Sequence, residues 1–508
     1  MNGQIRNPVR IELLPLGKTL IVERGTRLYD VLFAEGVEFP CGGRGRCKGC
    51  RIKVLAGALP VSTEDEQRLS RAELAAGWRL ACRATAVADI TIELAQWETP
   101  VLADESALEF VPKDGFGIAI DLGTTTIVAQ LLDLRTGHVL GVRTALNAQA
   151  RHGADVMSRI EFACGGGAGE LTRMIRAQVG GLARELVESS RVRSGLDQVV
   201  IVGNTVMHHL FCGLDVGPLA QYPFESGATG LQTFDATSLG WHMPCNPVVR
   251  FLPCLGGFVG SDLLAGIFAV GMHKADAPVA LIDLGTNGEV VVGNRHRIVC
   301  ASTAAGPAFE GARIECGMRA ATGAISEVHI QNSKIQCHVL GNVEPRGICG
   351  SGLVDAVACG LELGLIRPDG RLQSNERWEL CPPVYLTQSD IRQLQLAKGA
   401  IAAGQQIVAE YWGVTLDQLE RVYLAGAFGN YVRRSSALRI GLIKVSPEKI
   451  VAAGNTALRG AKLALLGSPE QDWSYSWLRA QTTHIALNQH PQFQDIFAQE
   501  MSFASRVG

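Results

Sequence analysis

The residues of this chain whose types could do chemistry fall into two sets. One is a run of cysteines near the start, and the other is three glycine-bearing turns spread over the rest. Cys41, Cys47, Cys50 and Cys82 are spaced C-x5-C-x2-C-x31-C. Three thiolates on one loop and a fourth from a distant segment can enclose a 2Fe–2S rhomb, with two sulfurs to each iron. Gly42, Gly43, Gly45 and Gly49 let the loop wrap so that backbone N–H groups face the cluster sulfides. The rival is a structural zinc site, which also takes four cysteines. Zinc ligands usually pair as two C-x-x-C knuckles, and here only Cys47 and Cys50 make one. The loop is basic, with Arg44, Arg46, Lys48, Arg51 and Lys53 and no acid between Cys41 and Leu55. That charge offsets the cluster's own, or offers a docking surface to an acidic partner.

Residues 117–126 run an apolar strand into Asp121, Leu122, Gly123 and the hydroxyls of Thr124, Thr125 and Thr126, after which the apolar pattern resumes at Ile127. This pattern predicts a β-hairpin with a polar turn. Gly123 permits close approach of the backbone to a ligand, and the threonine hydroxyls and turn N–H groups suit phosphate oxygens. Asp121, at the strand end, is placed to hold the waters of a magnesium ion. A second copy lies 162 residues on, with Asp283, Gly285, Thr286 and Asn287 ahead of Val290, Val291 and Val292. A third turn follows the strand of Val422, Tyr423 and Leu424 and carries Gly426, Phe428 and Gly429. Any one of them alone reads equally as a glycine-containing turn. Three in this order imply two copies of one lobe facing a shared cleft. The set resembles the two phosphate loops and the adenosine loop of the acetate kinase, sugar kinase, Hsp70 and actin superfamily. The resemblance implies ATP with Mg2+ between the lobes, Asp121 and Asp283 as the catalytic carboxylates, and residues 426–429 at the adenosine.

The elements that must hold these groups follow from periodicity. Val9, Ile11 and Leu13 share a strand face, and a second strand returns after the turn at Gly17. Thr26 caps a helix through Leu28, Val31 and Leu32 that ends near Gly36. Two strands and a helix in this order suit a β-grasp fold. Ser62 opens a capping box for a helix that ends at Gly77. Residues 98–114 carry two prolines, five acids and no periodicity, which marks a linker. The expected chain is multidomain, α/β and α+β. A 2Fe–2S β-grasp domain spans 1–97, the linker 98–114, and a duplicated actin-like ATPase follows, with lobe I over 115–278 and lobe II over 279–508.

Within lobe I, a buried strand over 198–202 leads to Gly203, Asn204 and a helix bearing His208 and His209. Neighbours on a helix diverge by about 100°, so the two histidines cannot aim at one metal, and one packed and one solvated ring are expected. Gly165, Gly166 and Gly167 read as a flexible turn. Residues 304–312 read as a glycine and proline loop. Residues 346–355 form a glycine-rich turn opening a helix, suited to phosphate or ribose contact or equally to packing.

At 508 residues the chain has room for about three domains. With 47% hydrophobic and 19% charged residues it is globular, and a net charge of -2 gives no global attraction to nucleic acid or an anionic membrane. The opening residues lack the apolar core of a secretory signal. The most apolar window, 251–272, is broken by Pro253, several glycines and the Ser261 and Asp262 pair, so no membrane span is expected. Fourteen cysteines without an export signal suggest reduced thiols and a cytoplasmic location.

The ferredoxin-like spacing, the repeated hairpins and residues 203–209, 306–311 and 347–352 together resemble the reductive activators of corrinoid proteins. Plant-type ferredoxins put four residues between the first two cysteines; five, as here, is similar to the adrenodoxin-like branch. The resemblance implies ATP-dependent return of a Co(II) corrinoid protein of a methyltransferase system to Co(I). It also implies an external low-potential electron donor, and it allows a homodimer. The chain departs from the acetogen members in its shorter linker and from the methylamine-pathway activators in lacking a C-terminal cysteine cluster. A plant-type 2Fe–2S centre lies near about −400 mV, and the four-coordinate Co(II)/Co(I) couple is lower still, so a ferredoxin alone leaves most cobalt oxidised. Three other readings stay open: an ATP-gated electron donor to another metalloenzyme, a small-molecule kinase with a redox-sensing module, and a redox-sensing scaffold without turnover.

Overall fold

The computed structural model describes residues 7–14, 16–35, 37, 45, 50–94, 111–153, 155–190, 196–285, 287–311, 313–318, 320, 323–373, 377–468 and 470–504. Alternation over β1 (Pro8–Leu14) buries Val9, Ile11 and Leu13 on one face, and β1 pairs antiparallel with β2 (Lys18–Glu23). The helix Leu28–Ala34 follows. β3 (Arg51–Ala56), β4 (Trp78–Leu80) and β5 (Ile90–Leu94) complete a sheet in the order β2-β1-β5-β3-β4, with β1 and β5 parallel. This is β-grasp topology. The single helix expected between Ser62 and Gly77 is two, Thr63–Arg68 and Arg71–Ala75. Ser70 forms its own capping box with Glu73 and restarts the helix after Leu69 turns extended.

Beyond residue 111 two six-stranded sheets share one plan. In the first, β6 (Phe116–Leu122), β7 (Thr126–Asp133) and β8 (Val139–Leu146) form an antiparallel meander. β9 (Leu196–Val202) adds in parallel beside β6; after an edge strand, β10 (Gln232–Asp235), β11 (Val248–Phe251) adds in parallel beside β9. In the second, β12 (Val279–Leu284), β13 (Gly288–Gly293) and β14 (Ile298–Thr303) repeat the meander. An insertion follows, comprising the sheet of β15 (Ala324–Gln331), β16 (Lys334–Val339) and β17 (Gly347–Ile348) and the hairpin of β18 (Arg377–Cys381) and β19 (Val384–Thr387). β20 (Val422–Ala425) and β21 (Ile450–Gly454) then add in parallel beside β12, and β22 (Thr482–His484) closes the far edge.

In both halves the last parallel strand feeds a helix: Ser261–Ala269 after β11 and Thr456–Leu466 after β21. These two helices pack on each other, and the second also lies on β6 and β9 of the other half. The crossing is glycine-tight. A Cβ on Gly460 would come within 2.2 Å of the Ala265 carbonyl oxygen, and one on Gly266 would meet Leu281 and Thr456. The β-grasp unit rests on the insertion of the second half. His338 Nε2 lies 2.8 Å from Oδ1 of fully buried Asp30, its Nδ1 lies 3.4 Å from Arg27 Nη1, and its ring is 6.2 Å from that of Tyr29. No helix among the described residues is long and apolar enough to cross a membrane.

Adding a methyl group where the helices touch forces them apart. Gly460→Ala is expected to cost about 1–3 kcal/mol of stability, read as a lower urea midpoint. Gly181→Ala, on a helix where a Cβ meets nothing within 4 Å, should be neutral or stabilising and serves as the control.

Candidate functional site

The pairing of Arg51 with Leu80 between β3 and β4 sets Cys50 and Cys82 just beyond the two strand ends. Ala81 N–H donates to the Cys50 carbonyl at 2.9 Å, so the two segments adjoin, and both thiols are buried. Buried Asp65 fixes this corner. Its Oδ1 accepts from Leu80 N–H at 2.7 Å, and its Oδ2 accepts from the Ser62 N–H and hydroxyl at 2.8 Å. Gly45 of the cysteine loop has φ +65° and lies where a Cβ would meet Glu64 Cγ at 2.9 Å and Arg83 Cδ at 3.3 Å. Gly45 is thereby seated against the neighbour of Cys82, and Arg83 in turn pairs with Glu64. Two buried cysteines on adjoining segments, next to a loop rich in glycine and cysteine, fit a cysteine-held 2Fe–2S cluster. Cys41 and Cys47 lie outside the described residues.

The two hairpin turns sit at matching places. Gly123 N–H donates to Thr126 O at 3.1 Å, and Gly285 N–H donates to Asn287 O at 3.1 Å. A Cβ on Gly123 would strike Thr126 O at 2.5 Å, so the turn admits only glycine. Asn204 Nδ2 donates to Thr124 Oγ1 at 2.7 Å, and Thr125 Oγ1 reaches Glu310 Oε2 of the second half at 3.5 Å. Thr126 opens β7 with its side chain exposed, and Thr286 lies outside the described residues. Gly426, at φ +81°, starts the third turn against the second acid, where a Cβ would be 2.6 Å from Asp283 Oδ1. Phe428 is stacked on Phe309 with ring centroids 4.5 Å apart, and Gly429 packs on Leu424.

Four acids share this cleft. Burial raises the Asp121 carboxyl to about 6, opposed by Asn455 Nδ2, which donates to Asp121 Oδ2 at 2.8 Å. Burial and then the charge of Asp121 raise Asp283 to about 7. Asp262, opening the helix Ser261–Ala269, is raised to about 7 by burial, Asp283 and Asp121. Glu289, opposite Asp283 on β13, is pushed well above the usual carboxylate range by burial, Asp262 and Asp283. Carboxylates crowded out of water repel one another until a cation arrives, which is the donor set a magnesium nucleotide meets.

Asp262 and Glu289 escaped the sequence reading, although Glu289 lies directly across the expected hairpin from Asp283. Asn455 and Asp262 open or cap the two crossing helices. Asn455 of the second half serves Asp121 of the first, while Asp262 of the first faces Asp283 of the second.

Two local expectations are corrected, and a third takes one of its two readings. His208 and His209 are both fully buried, so neither is solvated. His209 Nδ1 is 2.8 Å from Thr205 O and its Nε2 2.8 Å from Ser226 Oγ, while His208 Nε2 is 3.1 Å from Gly230 O. The pair pins the 226–230 loop, because an apolar helix face leaves both rings only those partners. The glycine run at 165–167 is a kink at Gly166, φ +101°, joining the helices Val156–Phe162 and Ala168–Ser189. The helix start at Gly350 is covered by protein: a Cβ there would sit 1.8 Å from Phe309 O, so its glycines serve packing.

A β-grasp domain with converging cysteines, joined to a duplicated fold with paired acid-glycine turns, defines an iron–sulfur protein with an ASKHA-type ATPase. Comparison with known proteins agrees. Residues 11–87 match the 2Fe-2S iron-sulfur cluster binding domain, 116–275 the RACo middle region, and 277–507 the C-terminal domain of RACo, the ASKHA domain. The chain belongs to the RACo family, and its cofactors are a 2Fe–2S cluster and ATP with Mg2+. The corrinoid activation enzyme RamQ of Eubacterium limosum is 35% identical over 450 residues, 80% of this chain and 74% of that one. A Co(II) methylated amine-specific corrinoid protein reductase of Methanosarcina barkeri is 28% identical over 421 residues, covering 76% and 77%. A solved reductive activator for corrinoid,iron-sulfur protein matches 97% of this chain and 98% of its own, with a TM-score of 0.69 and 27% identity.

Burial, and then the charge of His209, hold His208 down at about 4. Its neutral ring therefore contributes stability that is complete above pH 6.5 and lost as pH falls toward 4, because the unfolded chain takes up a proton that the folded one refuses. Between pH 7 and 4 the wild type should lose about 2–3 kcal/mol more unfolding free energy than His208→Gln, measured by urea titration at both pH values.

Proposed function

We propose that this chain uses ATP to return a Co(II) corrinoid protein of a methyltransferase system to Co(I). The observation that carries the reading is one chain holding both a cysteine pocket and a two-lobed nucleotide cleft, in a family whose named relatives act on corrinoid proteins. In this reading Cys41, Cys47, Cys50 and Cys82 hold the cluster, which supplies a one-electron centre of low potential. Asp121 and Asp283, one from each half, would hold the magnesium ion through its waters, and the ion would screen the phosphate charge. The turn atoms of Gly123, Thr124, Thr125, Thr126, Gly285, Thr286 and Asn287 cradle phosphate oxygens. Residues 426–429 take the adenosine, with Gly426 and Gly429 seating their turn against Asp283 and Leu424 and Phe428 setting its shape through Phe309. Asp262, in the first turn of the helix Ser261–Ala269 and within charge reach of both aspartates, takes the proton of the attacking water.

Moving one electron uphill costs roughly 1.4 kcal/mol for each 59 mV, and closure of the lobes on nucleotide is the coupled step that offsets it. The contact of Thr125 with Glu310 already crosses between the halves and is the one such closure would tighten. The rest of the reading is a cytoplasmic protein, possessing domains 1–97, 115–278 and 279–508 around the linker 98–114. An external low-potential donor reloads it, and a homodimer is compatible.

The test is Co(I) yield from a Co(II) corrinoid protein at one fixed donor potential, with and without ATP. ATP should raise the yield, the Co(II) partner should accelerate hydrolysis, and phosphate should go to water alone. Equal yields with and without ATP, or phosphate transfer to a metabolite, would remove this reading. Asp121→Ala and Asp283→Ala should each abolish hydrolysis while the cluster's visible spectrum stays, and full hydrolysis in both would sink the site assignment.

A further inference from the structure

Beneath the first phosphate turn lies Arg159, fully buried, on the helix Val156–Phe162. All its hydrogen-bond partners are neutral. Nε donates to Gly153 O at 2.9 Å, Nη1 to Gln149 Oε1 at 3.4 Å and Met207 Sδ at 3.5 Å, and Nη2 to Thr124 O at 2.5 Å. Among the described residues no carboxylate lies within ion-pair distance of it. Asp155, one turn earlier, is engaged in capping the helix with Ser158 and acts on the guanidinium only through space. Burial lowers Arg159 to about 10, which leaves it a cation at neutral pH. A buried charge with no counter-charge is strongly unfavourable, and such a group is retained where an anion arrives to balance it.

The turn above is held from below at three successive carbonyls. Asn147 Nδ2 donates to Gly123 O at 3.0 Å, Arg159 to Thr124 O, and Asn147 N–H to Thr125 O at 2.9 Å. A peptide unit is planar, with its C=O and N–H pointing opposite ways. Drawing the Gly123 and Thr124 carbonyls inward therefore turns the Thr124 and Thr125 N–H groups outward. Among the described residues those two N–H groups have no hydrogen-bond acceptor.

We propose that Arg159 is a positioning residue for the nucleotide, aiming the Thr124 and Thr125 N–H groups at the phosphates and supplying the buried positive charge that their anionic oxygens meet. The proposal rests on the nucleotide reading of the cleft. It separates phosphate recognition, which depends on Arg159, from adenosine recognition at residues 426–429, which does not.

The experiment uses the full-length protein with its cluster, and the variants Arg159→Gln and Arg159→Lys. Affinities for ATP, ADP and adenosine are measured by calorimetry, and KM and kcat for ATP by phosphate release. Arg159→Gln should weaken ATP at least about tenfold and leave adenosine unchanged, because a charge-assisted hydrogen bond is lost on the phosphate side only. KM should rise more than kcat falls. Lysine restores the charge but not the fork, so Arg159→Lys should recover part of the ATP affinity. ATP affinity within about twofold of the wild type in Arg159→Gln, or parallel loss of ATP and adenosine, would overturn the proposal. Should Arg159→Gln fail to fold, Arg159→Lys decides alone: an unchanged ratio of ATP to adenosine affinity overturns it. Failure of the nucleotide reading itself shows elsewhere, as full hydrolysis in both Asp121→Ala and Asp283→Ala.

Discussion

The seating of Gly460 on the Ala265 carbonyl fixes how the two halves of the nucleotide domain meet. Each half alone is a six-stranded sheet with a polar turn at the end of its first strand, and neither turn by itself defines a site. The helices that follow β11 and β21 cross so closely that each begins beside the other half's turn. Asn455 thereby reaches Asp121, and Asp262 reaches the neighbourhood of Asp283. A bulkier contact would separate the turns, and the carboxylates would regain water and their ordinary affinity for protons.

Charge then differentiates the two halves. On the side of Asp121 the helix N-cap is an amide, Asn455, which donates a hydrogen bond to that carboxylate. The N-cap of the other helix is Gly260, which has no side chain to donate to Asp283, and the nearby Asp262 and Glu289 add negative charge. The first half has a buried guanidinium beneath its turn. One duplicated fold thus holds a turn with a buried cation beneath it and another crowded by acids.

Much of this was legible in the sequence because it is local. Turn chemistry at Gly123 and Gly285, alternation in β1 and the cysteine spacing each depend on residues a few places apart, and the β-grasp unit and the two repeated hairpins follow from them. What depended on distant partners was not legible. Asp262 begins an apolar helix and reads as an interruption until the fold brings it to Asp283. Arg159 looks like any surface arginine until the first turn closes over it. His208 and His209 were expected to differ in exposure because a helix has two faces, but this helix is enclosed on both by the 226–230 loop and Phe251. The glycines at 350–352 read equally as a ligand loop or as packing, and the backbones of Phe309 and Ile325 show that they serve packing.

The bridge between Asp30 and His338 carries a kinetic consequence. The β-grasp unit and its resting place belong to one chain, so docking is an intramolecular equilibrium that dilution does not shift. A protein that needs the cluster face turned elsewhere binds only the undocked fraction, and its apparent affinity is reduced by that fraction. Each ~1.4 kcal/mol of docking strength lowers the fraction about tenfold. The contacts that would set that fraction are those of His338 with Asp30, Arg27 and Tyr29, on the helix Leu28–Ala34 and just ahead of it.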